Sequence, residues 1–321
     1  MEFSADLKDR IEKLSEKYQA SGQELIAFLD GLLYADYITY WDYIHLDTLL
    51  SLQTPRTPIP DEEIFIMYHQ ITELYFKLSL HELKQVKGND NPTVEFLTEK
   101  VRRINRYFEV LTHSFNVMVE GMDRAQFLKF RMALIPASGF QSVQYRMIEI
   151  ASTDFIRLVK SGKREKYNAD SSTEEMYKDI YWQDGATIAE SGEKTLTLRQ
   201  FEEKYSDELI RMGRRWKGQT LWQRYLSLSE EDRQNETLLK ELKQLDVNVN
   251  INWPLEHYRS AVRYLAKQDG DVRATGGTNW QKYLPPRFQK RIFYPEIWTD
   301  HEKEEWGRGW VNDVLNDLKA K

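Results

Sequence analysis

The sequence predicts an all-α protein, a bundle of long helices interrupted in mid-chain by a polar excursion. Apolar residues recur at spacings of three and four over long stretches, the period of a helix with one buried face. Gly (15) and Pro (9) are few among 321 residues, while Tyr (18), Phe (14) and Trp (9) are plentiful. That balance suits long helices and disfavours a turn-rich β protein. No alternating strand pair joined by a hairpin dipeptide is evident, and no repeat recurs at a fixed period.

The elements follow in order. Short helices are predicted over 5–19, 22–35 and 41–53, residues 1–35 forming an N-terminal helical arm. Asp61 is placed as the N-cap of a run from Glu62 to Lys87, which meets no Gly or Pro before Gly88. Phe65, His69, Thr72 and Phe76 share one face of it. Two further long runs extend from Thr93 to Val119 and from Ser142 to Lys160. Shorter helices are predicted over 124–132, 198–214, 219–245, 254–268, 279–291 and 301–319. The stretch 161–196 is polar, with Gly, Asn and Ser scattered through it, and reads as a surface excursion because helical patterning resumes after it. Gln268 to Thr278 is a second loop. One all-α domain, 1–321, is the expected organisation.

Composition narrows the chemistry. Lys plus Arg (45) against Asp plus Glu (51) leaves a net charge of −6 without a basic face, so neither nucleic acid nor an anionic membrane is an expected partner. The absence of cysteine excludes disulfides, iron–sulfur clusters, thiolate-ligated haem and a Cys nucleophile. The first residues are charged and carry no apolar h-region, and no window reaches the roughly 18–20 apolar residues of a membrane span. A cytoplasmic setting is expected.

Six histidines, His45, His69, His81, His113, His257 and His301, are the whole supply of imidazole. His81-Glu82 lacks the second histidine of a zinc HExxH motif, and the paired Glu-x-x-His of a di-iron bundle is absent. A single axial histidine for haem leaves no spacing to detect. His69 stands among Phe65, Ile66, Tyr68, Thr72 and Phe76, where a lone histidine is ordinarily a core residue bonded to a carbonyl. Arg131 follows Phe127-Leu-Lys-Phe130 on an apolar turn, so its guanidinium needs a carboxylate, of the protein or of a ligand. Ser138-Gly139-Phe140-Gln141-Ser142 reads as a helix stop and restart after Pro136, with Ser142 able to cap. Thr275-Gly276-Gly277-Thr278 is a weak match to an anion-binding nest. Tyr40, Tyr43, Ile44 and Asp47 share a face, which suits core packing, an oligomer interface or a pocket wall.

In order and spacing these phrases resemble the tryptophan 2,3-dioxygenase family, from Tyr34 to Trp298. The matching phrases are Tyr40-x-x-Tyr43-Ile-x-Leu-Asp-x-Leu-Leu-Ser-x-Gln53, Asp61-Glu-x-x-Phe65-Ile-x-x-His69-Gln-x-x-Glu-Leu, Phe130-Arg131 with Ser138-Gly-Phe-Gln-Ser, and Trp253 with His257 before Thr275-Gly-Gly. Phe127 stands where the family often carries Tyr, Glu256 where Arg or Asn is more familiar, and Ala274 where Gly is usual.

The resemblance implies a haem b enzyme whose helices enclose the haem pocket and which converts L-tryptophan and O₂ to N-formylkynurenine in the kynurenine pathway. It implies His257 as the axial iron ligand and His69 as the catalytic residue near the indole N–H. It also implies Phe65 as a wall against the indole, Arg131 with Phe127 beside it as the carboxylate clamp, and Thr275 on the amino-acid end. Ser138 and Gly139 would line the haem pocket. Tyr40, Tyr43 and Ile44 would close the pocket of a neighbouring subunit in a homotetramer. Two other readings fit the same scaffold: a haem-dependent monooxygenase hydroxylating a tyrosine or a tryptophan derivative, and a haem-free helical interaction protein.

Overall fold

The computed structural model describes residues 3–168, 170–188, 191–265 and 290–307. The chain divides into two compact units, Met1–Thr54 and Pro55–Lys321. Among the described residues there is no strand, only two isolated bridges, Val159 with Ile180 and Thr187 with Lys194. The all-α expectation is met, and no described helix is long and apolar enough to cross a membrane.

In the first unit, α1 (Ala5–Ala20) starts where Ser4 Oγ accepts from the Leu7 amide, and it packs on α2 (Leu25–Leu33) by stacking Tyr18 on Phe28 at 4.0 Å. The run expected over 41–53 is two short helices, α3 (Tyr40–Tyr43) and α4 (Leu46–Leu49). His45 lies between them at φ 52°, a left-handed conformation that no helix continues through. None of these four helices buries a residue, so Leu33, Tyr34, Tyr37, Tyr40 and Tyr43 stand exposed.

The second unit holds the core. Helix α5 (Asp61–Gly88) opens with three acidic residues, which suit the positive end of a helix. Asp61 is the first helical residue rather than the cap; its carboxylate accepts from the Asp123 amide at 2.6 Å and ties α5 to the start of α8 (Arg124–Phe130). After a short loop, α6 (Val94–Ser114), capped by Thr93, lies beside α5 and buries Leu97, Val101, Ile104, Phe108 and Leu111, a spacing of three and four. The expected run to Val119 is interrupted at Phe115, beyond which α7 (Asn116–Val119) completes it.

Ser142 caps α9 (Val143–Ser152), as its position suggested. That helix ends eight residues before Lys160, because Thr153 Oγ1 donates to the Phe293 carbonyl and Asp154 accepts from Gln223. The stretch 161–196 carries α10 (Thr173–Tyr177) and sends Ile180, Trp182 and Ala186 fully into the core. Then follow α11 (Leu196–Trp216) and α12 (Leu221–Leu226), and Asn235 caps α13 (Glu236–Val247). The run expected over 219–245 is thus divided by a turn at 227–235. Helix α13 continues through a widened π-turn, Asn248–Asn252, into α14 (Trp253–Leu265). The helix expected over 279–291 lies almost wholly outside the described residues, and of that expected over 301–319 only α15 (Asp300–Glu304) is described.

Gly213 shows how tightly the excursion is held. A Cβ there would lie 2.6 Å from Thr173 Cγ2 and 2.8 Å from Phe155 Cδ2, so α11 meets α10 only because the side chain is absent. Gly213→Ala is expected to destabilise the fold by about 1–3 kcal/mol in urea denaturation through overpacking. An unchanged midpoint would contradict this close approach.

Candidate functional site

Phe65 and His69 lie one turn apart on α5, so helical geometry brings their rings together at 4.1 Å. His69 Nδ1 sits 2.7 Å from the Phe65 carbonyl oxygen. A carbonyl only accepts, so Nδ1 carries the proton and Nε2 keeps a lone pair. Burial lowers the pKa of His69, which the Phe65 carbonyl only partly offsets.

Helix α8 supplies the facing wall. Phe127 and Phe130 lie 6.3 and 5.7 Å from Phe65 by ring centroid, the second edge-on. Phe127 rests in turn on Tyr264 of α14 at 4.5 Å, and the Tyr264 hydroxyl donates to the Met118 carbonyl at 2.7 Å. Arg131 follows directly, only 3 % exposed, and burial depresses its pKa. A buried guanidinium is stabilised by a carboxylate that reaches it.

His257 repeats the His69 pattern on α14. Its Nδ1 donates to the Trp253 carbonyl at 2.9 Å, leaving Nε2 as an acceptor. The ring lies 4.6 Å from Trp253 and 4.8 Å from Phe115, and Phe115 also touches Tyr68, the neighbour of His69. Burial pushes the His257 pKa down from 6.5 to about 4, and the Arg146 guanidinium acts in the same direction. Two neutral imidazoles, each with one nitrogen committed to a backbone carbonyl, therefore share one aromatic region.

That donor chemistry fits haem. An axial histidine is neutral and commonly donates its other N–H to a carbonyl, as His257 does. Among the described residues no group of three or more His, Cys, Asp or Glu is arranged to hold a bare metal ion.

Ser138 and Gly139 sit on a 3₁₀ turn, Gly139–Gln141, where Ser138 Oγ accepts from the Phe140 amide and Gln141 Oε1 from the Ser138 amide, both at 3.3 Å. Gln141 and Thr197 pin this turn to the start of α11. Tyr40, Tyr43 and Ile44 belong to the first unit, the two tyrosines 70 % and 73 % exposed. Thr275, its glycine loop and Ala274 lie outside the described residues.

Sequence reasoning missed a buried polar group. Arg146 Nη1 donates to Glu149 at 3.1 Å and to the Tyr181 hydroxyl at 2.7 Å, and Arg291 pairs with the same Glu149 and Tyr181. The Arg146 guanidinium is ringed by Phe140, Tyr145, Tyr181 and Trp182 at 5.2–5.8 Å. The available signal was a charged pair, Arg146 and Glu149, set among apolar residues on α9. Asp246, fully buried on α13, was missed as well.

The tryptophan 2,3-dioxygenase family model matches residues 33–234. A tryptophan 2,3-dioxygenase of Ruegeria sp. (strain TM1040) is 42% identical over 118 residues, 36% of this chain and 42% of that protein, so this match spans less than half of the relative's length. The enzyme of Ruegeria pomeroyi is 29% identical over 278 residues, 83% of this chain and 92% of its own. That of Ralstonia pickettii is 27% identical over 279 residues, 81% of this chain and 91% of its own. With residues 33–234 matched by that model and relatives aligned over 81–83% of the chain, the chain belongs to the tryptophan 2,3-dioxygenase family, a family of oxidoreductases.

Proposed function

We propose that the protein cleaves the indole C2–C3 bond of L-tryptophan with O₂, giving N-formylkynurenine, with haem b held through His257. The observation that carries this reading is the pair of neutral histidines in one aromatic region beside a buried arginine. Haem bound there supplies the activation of dioxygen. The product contains both oxygen atoms of O₂, so no external reductant enters the balance.

The remaining work falls to the chain. His69 Nε2, its Nδ1 already used, is free to accept the indole N–H and orient the ring. It orients and need not abstract a proton. Phe65 offers an aromatic face to the indole, with Phe127 and Phe130 behind it. Arg131 takes the amino-acid carboxylate, where its paired donors match two oxygens. Phe127 contributes no hydroxyl, so the clamp leans on the guanidinium. The turn at Ser138 and Gly139 would line the haem side, and Thr275 would serve the amino-acid end.

Tyr40, Tyr43 and Ile44 are assigned to the pocket of a neighbouring subunit in a homotetramer. The support is the exposed aromatic and aliphatic surface that the first unit carries. The cytoplasm is the setting proposed. Sedimentation of the haem-loaded protein is expected to show a tetramer, and a monomer at micromolar concentration would contradict the shared pocket.

The decisive assay is mass spectrometry of the product formed from L-tryptophan under ¹⁸O₂. Two labelled oxygens are expected; one would assign the protein to monooxygenation. In the same assay Arg131→Ala is expected to raise KM for tryptophan by about 10- to 100-fold, the loss of one charge-assisted pair. An unchanged KM would remove Arg131 from the carboxylate clamp.

A further inference from the structure

A widened turn is an unusual element inside a helix and persists where neighbours hold it. Here it spans five residues, Asn248–Asn252, between Asp246 and the histidine-bearing helix. Its partners come from three sides. Asn248 donates to Asn105 of α6 at 3.2 Å, the Val249 carbonyl accepts from Tyr145 of α9 at 2.7 Å, and Asn250 donates to Asp246 at 2.7 Å. Asp246 in turn accepts from the amides of Phe293 and Tyr294 at 2.9 and 3.2 Å, and from the Trp298 indole at 3.0 Å. One fully buried carboxylate therefore fastens both the wide turn and the returning segment 293–298.

The geometry gives the turn a purpose. An α-helix advances about 100° per residue, so residues eleven apart, such as 246 and 257, would lie within about 20° of one face. Five residues in a π-turn, at about 4.4 per turn, lag by roughly a quarter turn. In the structure Asp246 meets segment 293–298, while the His257 ring lies against Phe115 and Trp253. A plain α-helix would direct both side chains to the same side.

We propose that Asp246 is a positioning residue which, by fastening segment 293–298 and the Asn248–Asn252 turn together, sets the rotation of α14 and so aims His257 Nε2 into the pocket. This rests on the reading of His257 as the axial ligand, and the test separates the two. The haem-loaded protein is followed by the ferrous iron–histidine band in resonance Raman and by the rate of haem transfer to a haem-scavenging apoprotein. His257→Gly is expected to lose the band and to regain it with added imidazole. If the band persists without imidazole, the ligand assignment itself fails.

Asp246→Ala is expected to weaken the band and to speed haem transfer about 10-fold, the usual scale for a residue that orients a metal ligand. The double variant, Asp246→Ala with His257→Gly, is expected to regain the band with imidazole as fully as His257→Gly alone, because the pocket is intact and only the aim is lost. A native band and transfer rate in Asp246→Ala would overturn the proposal. So would a double variant that imidazole fails to restore, since Asp246 would then support the pocket at large. Trp298→Phe removes one donor without altering the helix, and a smaller shift in the same direction is expected. Should Asp246→Ala fail to fold, an unchanged band and transfer rate in Trp298→Phe would overturn the proposal.

Discussion

The proposed chemistry depends on keeping two imidazoles uncharged. An exposed histidine is divided between two protonation states near neutral pH, and its protonated form has no lone pair to offer. Packing Phe65, Tyr68, Phe115 and Trp253 against the half-buried His69 and His257 withdraws much of the solvent that would stabilise the cation. The backbone carbonyls of Phe65 and Trp253 then decide which nitrogen keeps the proton. Desolvation selects the neutral state and the helix selects the tautomer. Each histidine reaches this arrangement by the same device, a bond to the carbonyl four residues earlier on its own helix.

The same apolar surroundings make every nearby charge expensive, and the fold answers with shared partners. Arg146 and Arg291 meet over one carboxylate, Glu149, and one phenol, Tyr181. Lys100 of α6 is buried on Glu82 of α5 at 2.9 Å, closing the two long helices on each other. Asp246 is satisfied almost entirely by N–H groups instead of a cation, and burial still raises its pKa to about 6. Breaking such groups leaves a buried charge or donor without a partner, which costs more than a lost surface bridge. These contacts also tie distant stretches to the elements that carry the histidines.

How much of this was legible depended on range. The face holding Phe65, His69, Thr72 and Phe76 is a local property of one helix, and spacing alone revealed it. The all-α class followed from the same period. Helix ends were legible where a cap was local, as at Thr93 and Ser142. They were not legible where a tertiary contact ended the element, as at Ser152, whose successor Thr153 bonds to Phe293. No single spacing could single out His257, because an axial ligand needs no second residue at a fixed distance; only its resemblance to a known motif marked it. Arg146 and Glu149 are close enough to read as a pair, but what makes that pair and Asp246 matter, the contacts to Tyr181, Arg291 and Phe293, lies far along the chain.

The most direct test of this dependence is ¹⁵N NMR of the histidine side chains in the haem-free protein as the pH is lowered. A depressed pKa means that the neutral form persists below the usual 6.5, until the pH falls toward 4. His257 is therefore expected to remain neutral, with the proton on Nδ1, down to about pH 5, where exposed histidines are already cationic. Protonation of His257 at an ordinary midpoint near 6.5 would show a solvated imidazole and contradict the desolvated pocket on which the proposed chemistry rests.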